Sequence, residues 1–303
     1  EKMKKCILVT GAQGLVASRF IELYKQREYL LTPDLTEFDF LKPTQMEKYL
    51  KDEEISQVLN FAAFTDVAAG ESQRGDKEGM CWKINVDGVR NLVKMFDRKR
   101  VRFIHISTDM VFSGSDADPG PYEENRKVKD NPDTLTWYGY SKARGEEVVQ
   151  DYFKKPTVVR IIYPVRAKFT FKTDFLRNPL RLYQQRKLYP LFDDQYLSIT
   201  DIDELSGMLN KLLENDNAGV FHCTSTDITT PYEIINYLIE AKYGVKNKVK
   251  RISVSKFLKN NDNRLRYPIY GGLKAVDTQK QLNVRFSSWK QIVDKLIAQN
   301  ITP

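Results

Sequence analysis

Lys5-Cys6-Ile7-Leu8-Val9-Thr10-Gly11-Ala12-Gln13-Gly14-Leu15-Val16-Ala17 opens the chain's first element and governs how everything after it is read. The first six residues form a short apolar run with β-branched side chains, the composition of a buried strand, and a helical pattern follows the glycines. Gly11 suits a tight turn, Gly14 lets backbone approach a pyrophosphate, and small Ala17 lets the helix lie close on the strand. The exposed amides of this helix start, around Gln13, Gly14 and Leu15, would meet the anion. A plain strand-turn-helix corner would also use glycines, so position in the chain carries much of the reading.

Working outward, the next apolar run is Tyr29-Leu30-Leu31, and Asp34 stands twenty residues after Gly14. An acidic side chain there can accept hydrogen bonds from an adenosine ribose, which would favour NAD over NADP. Asp34 also follows Pro33 and could simply open a turn. Two further buried strands are expected at Val58-Leu59-Asn60-Phe61, ending in Ala62-Ala63, and at Val101-Arg102-Phe103-Ile104-His105-Ile106. Near-continuous apolar runs alternating with helical segments predict a parallel sheet covered on both faces, with ligands at the carboxyl ends of its strands. Ala62, Ala63, Ser107 and Thr108 fall at those ends.

In Trp137-Tyr138-Gly139-Tyr140-Ser141-Lys142 a phenol and an ammonium stand four residues apart at the start of a helical stretch, on one face of it. A fixed positive charge nearby would lower the tyrosine pKa from about 10 toward the range of a working proton donor. The hydroxyl of Thr108 could hold a carbonyl oxygen while Tyr138 protonates it; a strand-end turn is its alternative role. By itself the Tyr-x-x-x-Lys spacing is common.

These strings together resemble the extended short-chain dehydrogenase/reductases. Within them the chain is most similar to the dTDP-4-dehydrorhamnose reductase family, through Ser107-Thr108-Asp109-Met110-Val111-Phe112-Ser113-Gly114, Asn60-Phe61-Ala62-Ala63-Phe64-Thr65 and Tyr138-Gly139-Tyr140-Ser141-Lys142. The resemblance extends to Ile84-Asn85-Val86-Asp87-Gly88, Arg160 and Asp193-Asp194-Gln195-Tyr196, and weakens in the carboxyl-terminal third. It implies a catalytic triad of Thr108, Tyr138 and Lys142, with Lys142 also on the nicotinamide ribose and Asn85 supporting the site. It places Asp39 and Phe40 beside the adenine, and Tyr138, Lys142, Ala62 and Ala63 along the cofactor. Thr65, Met110 and Tyr163 fall at substrate-facing positions. The implied activity is NAD(P)H-dependent reduction of the keto group of a nucleotide-linked 4-keto-6-deoxyhexose, a step of deoxysugar biosynthesis, with NAD(H) or NADP(H) as cofactor.

Departures from the family fall on the substrate side. Where the family carries an aspartate and a lysine before Ala-Glu-Ser, this chain reads Asp66-Val67-Ala68-Ala69-Gly70-Glu71-Ser72, and the lysine is missing. Met110 and Tyr163 replace a tyrosine and a tryptophan. A pocket that loses a cation and a phenol loses hydrogen bonds to sugar hydroxyls, so its selectivity should differ. A sugar 4,6-dehydratase would carry a glutamate where Met110 stands. A nucleotide-sugar 4-epimerase, which turns over without consuming its nicotinamide, and a non-catalytic NAD(P)-binding regulatory subunit remain as alternatives.

Composition bounds the rest. With 303 residues, 41% of them hydrophobic, the chain can bury a large core and suits a nucleotide-binding domain plus a smaller cap. The expected fold is α/β: a Rossmann doubly wound parallel sheet with a smaller C-terminal α/β substrate-binding cap. The nucleotide domain is expected over residues 1–162 with a return segment at about 198–224, and the cap over 163–197 and 225–303. Helices are expected at 175–186, 202–213, 234–243 and 289–297, and a short strand at Arg251-Ile252-Ser253-Val254. The loop from Ser115 to Pro132 reads as an ordinary turn region or a lid.

No apolar run approaches the length of a membrane span, and Glu1-Lys2-Met3-Lys4-Lys5 leads into the first strand without a secretory pattern, so a soluble cytoplasmic protein is expected. Three widely separated cysteines, Cys6, Cys81 and Cys223, fit a reducing compartment without disulfides. His105 and His222 lie in apolar strands without the company a metal ligand needs, so no metal is expected. A formal charge of +8, densest at Arg98-Lys99-Arg100-Val101-Arg102 and Lys246-Asn247-Lys248-Val249-Lys250-Arg251, lacks the aromatic interleaving of a nucleic-acid surface. It would rather draw in an anionic nucleotide sugar, and a homodimer stays open as a further partner.

Overall fold

The computed structural model describes residues 5–96, 101–259 and 264–303. Glu1 to Lys4 and the basic residues Arg98, Lys99 and Arg100 lie outside the described residues. The chain forms two compact units, one of Glu1–Val111, Lys127–Arg160 and Ser206–Phe221, the other of Phe112–Arg126, Ile161–Leu205 and His222–Pro303.

The strands in chain order are β1 (Lys5–Thr10), β2 (Leu30–Leu31), β3 (Glu54–Asn60), β4 (Arg102–Thr108), β5 (Thr157–Ile161), the short β6 (Pro164–Val165), β7 (Leu191–Phe192) and β8 (Thr200–Asp201), then β9 (Gly219–Cys223) and β10 (Arg251–Ile252). Six of them make one sheet in the order β2-β1-β3-β4-β5-β9, and the β1/β2, β1/β3 and β3/β4 pairs run parallel. All but the first residue of β1 and of β4 are buried, which is why both read as unbroken apolar runs rather than alternating ones. The chain leaves β1 toward β2 on one side and returns to β3 on the other, so the strand order reverses beside β1, where ligands of open α/β sheets bind. This is the Rossmann arrangement expected from the sequence.

The helices of the first unit are α1 (Leu15–Leu23), α2 (Pro43–Leu50), α3 (Val67–Glu71), α4 (Met80–Trp82), α5 (Val89–Phe96) and α6 (Trp137–Tyr152). A single π-helical turn, Lys83–Gly88, joins α4 to α5. Leu92, Val93 and Phe96 of α5 pack with Phe103, Val148 and Val149 in one apolar cluster that also takes in Phe40. A Cβ on Gly88 would collide with the Phe40 ring, so the missing side chain makes room for that aromatic.

In the second unit lie α7 (Arg177–Gln184), α9 (Pro231–Tyr243), α10 (Val254–Leu258), α11 (Val276–Leu282) and α12 (Trp289–Ala298), while α8 (Ile202–Glu214) passes from the second unit into the first. Thr230 and Glu233 close a reciprocal capping box on α9, and Ser288 and Gln291 do the same on α12. The expected strand at 251–254 is corrected to Arg251–Ile252: Ser253 accepts the Lys256 amide and starts α10 instead. Such N-cap hydrogen bonding outweighs a two-residue extension of an edge strand. In the Ser115–Pro132 stretch, Tyr122 takes the Gly114 amide at 2.7 Å, donates to the Asp118 carbonyl and stacks on Phe112 at 4.1 Å. Among the described residues no helix is long and apolar enough to cross a membrane.

Candidate active site

Gly11 sits at φ +66°, a conformation that glycine adopts freely, and a Cβ there would lie 2.8 Å from the Ala62 nitrogen. The turn after β1 therefore presses its backbone on the end of β3. The Gly14 amide donates to the Gly11 carbonyl at 2.9 Å, and Gly14, the residue before α1, has no side chain of its own to cap the helix. Leu15 begins the helix, Gln13 is exposed beside it, and Ala17 is buried against the sheet. Such a tight turn, a glycine at the helix start and a small third residue suit a dinucleotide pyrophosphate.

Asp34 takes three bonds on Oδ1, from the Thr36 amide at 2.8 Å, the Thr36 hydroxyl at 2.6 Å and the Glu37 amide at 3.1 Å. These hold its carboxyl below the usual range, the Thr36 hydroxyl foremost. The turn-opening role left open for Asp34 is thus present, and Oδ2 takes none of these three bonds. Asp39 is likewise engaged locally, accepting from the Leu41 amide at 2.9 Å and pairing with Lys42 at 3.2 Å. Phe40 is buried in the apolar cluster.

The Thr108 hydroxyl, at the end of β4, donates to Asp109 Oδ1 at 3.1 Å and receives the Met110 amide at 3.2 Å. Thr136 caps α6 by accepting the Gly139 amide at 3.0 Å, and Glu71 of α3 accepts the Trp137 amide at 2.9 Å. A Cβ on Gly139 would collide with the Met110 carbonyl, so the first turn of α6 can lie directly on the end of β4 only because that side chain is absent. Sequence and packing together set the start of α6 against the end of β4.

One expectation is overturned. Burial raises the Tyr138 pKa above its ordinary value of 10.0, and the neighbouring Asp109 carboxyl raises it further against the lowering hydrogen bond from Thr108. The ammonium of Lys142 does not bring it down: its Nζ donates to the Ile106 carbonyl at 2.8 Å and lies 3.3 Å from His105 Nε2. Helical spacing puts both residues on one face but leaves the long lysine chain to choose its partners across β4. Burial draws Lys142 itself down to about 8, opposed by the charge of Glu146. Glu146 makes a bidentate pair with Arg160, at 2.9 and 2.7 Å, with both side chains buried. Asp109 keeps some solvent exposure, yet burial of its carboxyl pushes it up to about 7.

Asn85 lies in the π-helical turn and is fully buried. Its amide accepts from the Phe64 nitrogen at 2.9 Å and donates to the Phe64 carbonyl at 3.1 Å and to Ser141 Oγ at 2.9 Å. It thereby fastens the segment carrying Ala62, Ala63 and Thr65 to α6. Thr65 is exposed, Met110 partly so. Tyr163 belongs to the second unit, where it adopts φ +39° and packs against Phe175 at 4.4 Å.

A row of polar groups went unread in the sequence. Thr10, Asn60 and His105 are register neighbours across β1, β3 and β4, and all three are buried. Their only sequence signal is that each is a polar residue near the carboxyl end of an apolar strand. Among the described residues no group of three or more His, Cys, Asp or Glu could hold a metal ion, and Cys6, Cys81 and Cys223 are buried and outside any disulfide.

A Rossmann sheet whose β4 end and α6 start bring together Thr108, Tyr138 and Lys142 defines an oxidoreductase of the extended short-chain dehydrogenase/reductase type. More narrowly, the chain belongs to the family described as RmlD substrate binding domain, whose model matches residues 3–301. It is similar to the dTDP-4-dehydrorhamnose reductase of Mycobacterium tuberculosis, 28% identical over 255 residues that cover 83% of this chain and 80% of that one. It is also similar to the dTDP-4-keto-6-deoxy-D-glucose reductase of Streptomyces niveus, 27% identical over 229 residues, 75% of each chain. The crystal structure of dTDP-4-dehydrorhamnose reductase from Bacillus anthracis in complex with NADP shares its fold, with a TM-score of 0.83 at 23% identity over 98% of this chain and 99% of that one.

Proposed function

We propose that this chain reduces the keto group of a nucleotide-linked 4-keto-6-deoxyhexose with NAD(P)H. The observation that supports the reading is the packing of the α6 start, which carries Tyr138, on the end of β4, which carries Thr108, where Gly139 leaves room for the Met110 carbonyl. A ketone becomes an alcohol by gaining hydride at carbon and a proton at oxygen. Tyr138 gives the proton: its raised pKa keeps the phenol protonated at neutral pH, as a donor must be. Thr108 orients the same oxygen by turning its hydroxyl proton to it from Asp109, so the carbonyl meets two donors as negative charge develops on it.

A bound nicotinamide dinucleotide supplies the hydride. The residues that would hold it are Gly11, Gln13, Gly14 and Leu15 at its pyrophosphate, the open Oδ2 of Asp34 at the adenosine ribose, Asp39 and Phe40 on the adenine side, Ala62 and Ala63 along its course, and Lys142 at the nicotinamide ribose. Thr65, Met110 and Tyr163 are assigned to the sugar nucleotide. With the family's lysine absent and an apolar Met110 in the pocket, the reading takes a deoxysugar with fewer polar contacts at that end. Its setting is the cytoplasm, in keeping with three buried cysteines outside any disulfide.

Tyr138→Phe tests the assignment, because it keeps the ring and removes the acid. Turnover of reduced nicotinamide on a panel of keto sugars should fall at least about 100-fold, with dinucleotide affinity unchanged. Full activity in that variant, or sugar interconversion without net loss of reduced nicotinamide, would reject it.

A further inference from the structure

The first turn of α6 is held from outside the helix by two side chains of one short segment. Glu71 ends α3, and Arg74 stands in the turn after it, its amide on the Glu71 carbonyl at 3.1 Å. All three guanidinium nitrogens of Arg74 are engaged: Nε donates to Glu71 Oε1 at 2.5 Å, Nη1 to the Pro132 carbonyl at 3.0 Å and Nη2 to the Leu135 carbonyl at 2.7 Å. Oε2 of the same carboxylate accepts the amide of Trp137, the first residue of α6 and the one before Tyr138. The chain from Pro132 to Trp137 is thus gripped at three points. Within that stretch lies Thr136, the N-cap whose hydroxyl takes the Gly139 amide.

The residue types suit this task. A guanidinium is a planar fork that can serve two carbonyls and a carboxylate at once, whereas an ammonium on a flexible stem fixes no such geometry. A carboxylate at a helix start satisfies an amide that has no partner within the helix and meets the positive end of its dipole. The segment also lies against the tyrosine itself. A Cβ on Gly70 would stand 3.6 Å from Tyr138 Cβ and 3.2 Å from Cys81 Sγ, so the backbone of α3 comes close to the residue that carries the phenol.

We propose that Glu71 and Arg74 are positioning residues for proton delivery by Tyr138: together they fix the entry of α6, and with it the place where the phenol meets the reacting oxygen. Both act through the backbone that carries the acid, and neither lies on the path of the proton. Because α3 follows β3 and its Ala62-Ala63 extension, the brace ties the dinucleotide side of the site to its acid. Misplacing a reacting group by about 1 Å can cost on the order of 100-fold in rate, so a brace on the backbone is felt in turnover.

The inference rests on Tyr138 giving the proton as proposed above, so one arm of its test does not need turnover. In full-length Glu71→Ala and Arg74→Ala the Trp137 amide should exchange its hydrogen at least about tenfold faster, while amides of β1 and β3 keep their rates. With a keto sugar that the unsubstituted protein reduces, kcat of Arg74→Ala per folded molecule should fall at least about tenfold. Its solvent deuterium isotope effect on kcat should rise as proton transfer becomes the slow step, with KM and dinucleotide affinity within about twofold. The Arg74 side chain is 33% exposed, so added guanidinium ions should reach its place in Arg74→Ala and restore part of the rate, and ammonium ions at equal concentration should not. Arg74→Lys keeps the charge and loses the fork; it should show the same fall and decides the matter if Arg74→Ala does not fold. Unchanged Trp137 exchange, full kcat in Arg74→Lys, a slower rate with an unmoved isotope effect, or equal rescue by ammonium would overturn the proposal. Faster Trp137 exchange in the variants, with no keto sugar reduced by the unsubstituted protein, would instead sink the assigned reaction and leave the brace standing.

Discussion

Asn85 Nδ2 donates to Ser141 Oγ at 2.9 Å, and through that bond a π-helical turn holds the helix that carries Tyr138 and Lys142. A π-turn is an unfavourable insertion that persists where it aims a side chain, and here it aims an amide that also clamps both polar groups of the Phe64 backbone. Asn85→Ala leaves these buried groups unpaired and should cost about 2–4 kcal/mol in chemical denaturation. Turnover should drop with it by roughly tenfold or more, since α6 loses its register on β4.

Glu146→Gln should destabilise the protein strongly. The variant takes the charge from the carboxylate that holds the buried Arg160 guanidinium by two bonds, a loss of about 3–5 kcal/mol measured by denaturant titration. Replacing both partners with apolar residues of similar volume should recover most of that loss, a double-mutant outcome that separates the pair's energy from simple packing.

Asp109 gives the protein a specific pH dependence. Its carboxyl is raised from 3.8 to about 7, so between those values the folded state binds a proton that the unfolded state has released. Stability from this group is fully present below about 4 and is lost as pH rises through about 7. Asp109→Asn keeps a neutral side chain at every pH, and the fall in denaturation free energy across that window should flatten. An unchanged slope would mean that the carboxyl is ionised throughout.

Gly11→Ala should weaken dinucleotide binding more than it weakens the fold. Alanine at φ +66° is strained, and its Cβ would meet the Ala62 backbone, for a stability cost of at least about 1 kcal/mol. The turn must shift to relieve that contact, moving the amides at the start of α1, so titration calorimetry with either dinucleotide should show at least a tenfold loss of affinity.

The first strand, its glycine turn and α1 were legible because their signals are local: apolar runs, turn residues and a small helix residue within thirteen positions. The placement of Thr108 and Tyr138 was legible because one ends an apolar strand and the other starts a helix. The fate of the lysine was not. Spacing reports which face of α6 carries Lys142, whereas its bonds to Ile106 and His105 depend on how α6 lies over β4, a relation between residues 36 and 37 positions apart. The Thr10–Asn60–His105 row is hidden for the same reason, since parallel register joins strands about fifty residues apart. Ser253 misled because an N-cap and a strand end look alike until the following amide finds its acceptor.

Both histidines of the chain, His105 and His222, are sealed in the interior. No imidazole is left outside to gain charge when the surroundings acidify, so between mildly acid and mildly alkaline medium the excess of eight positive charges shifts through Asp109 and Lys142 and not through histidine. Capture of a polyanionic reactant by long-range attraction therefore has no histidine switch and answers chiefly to ionic strength.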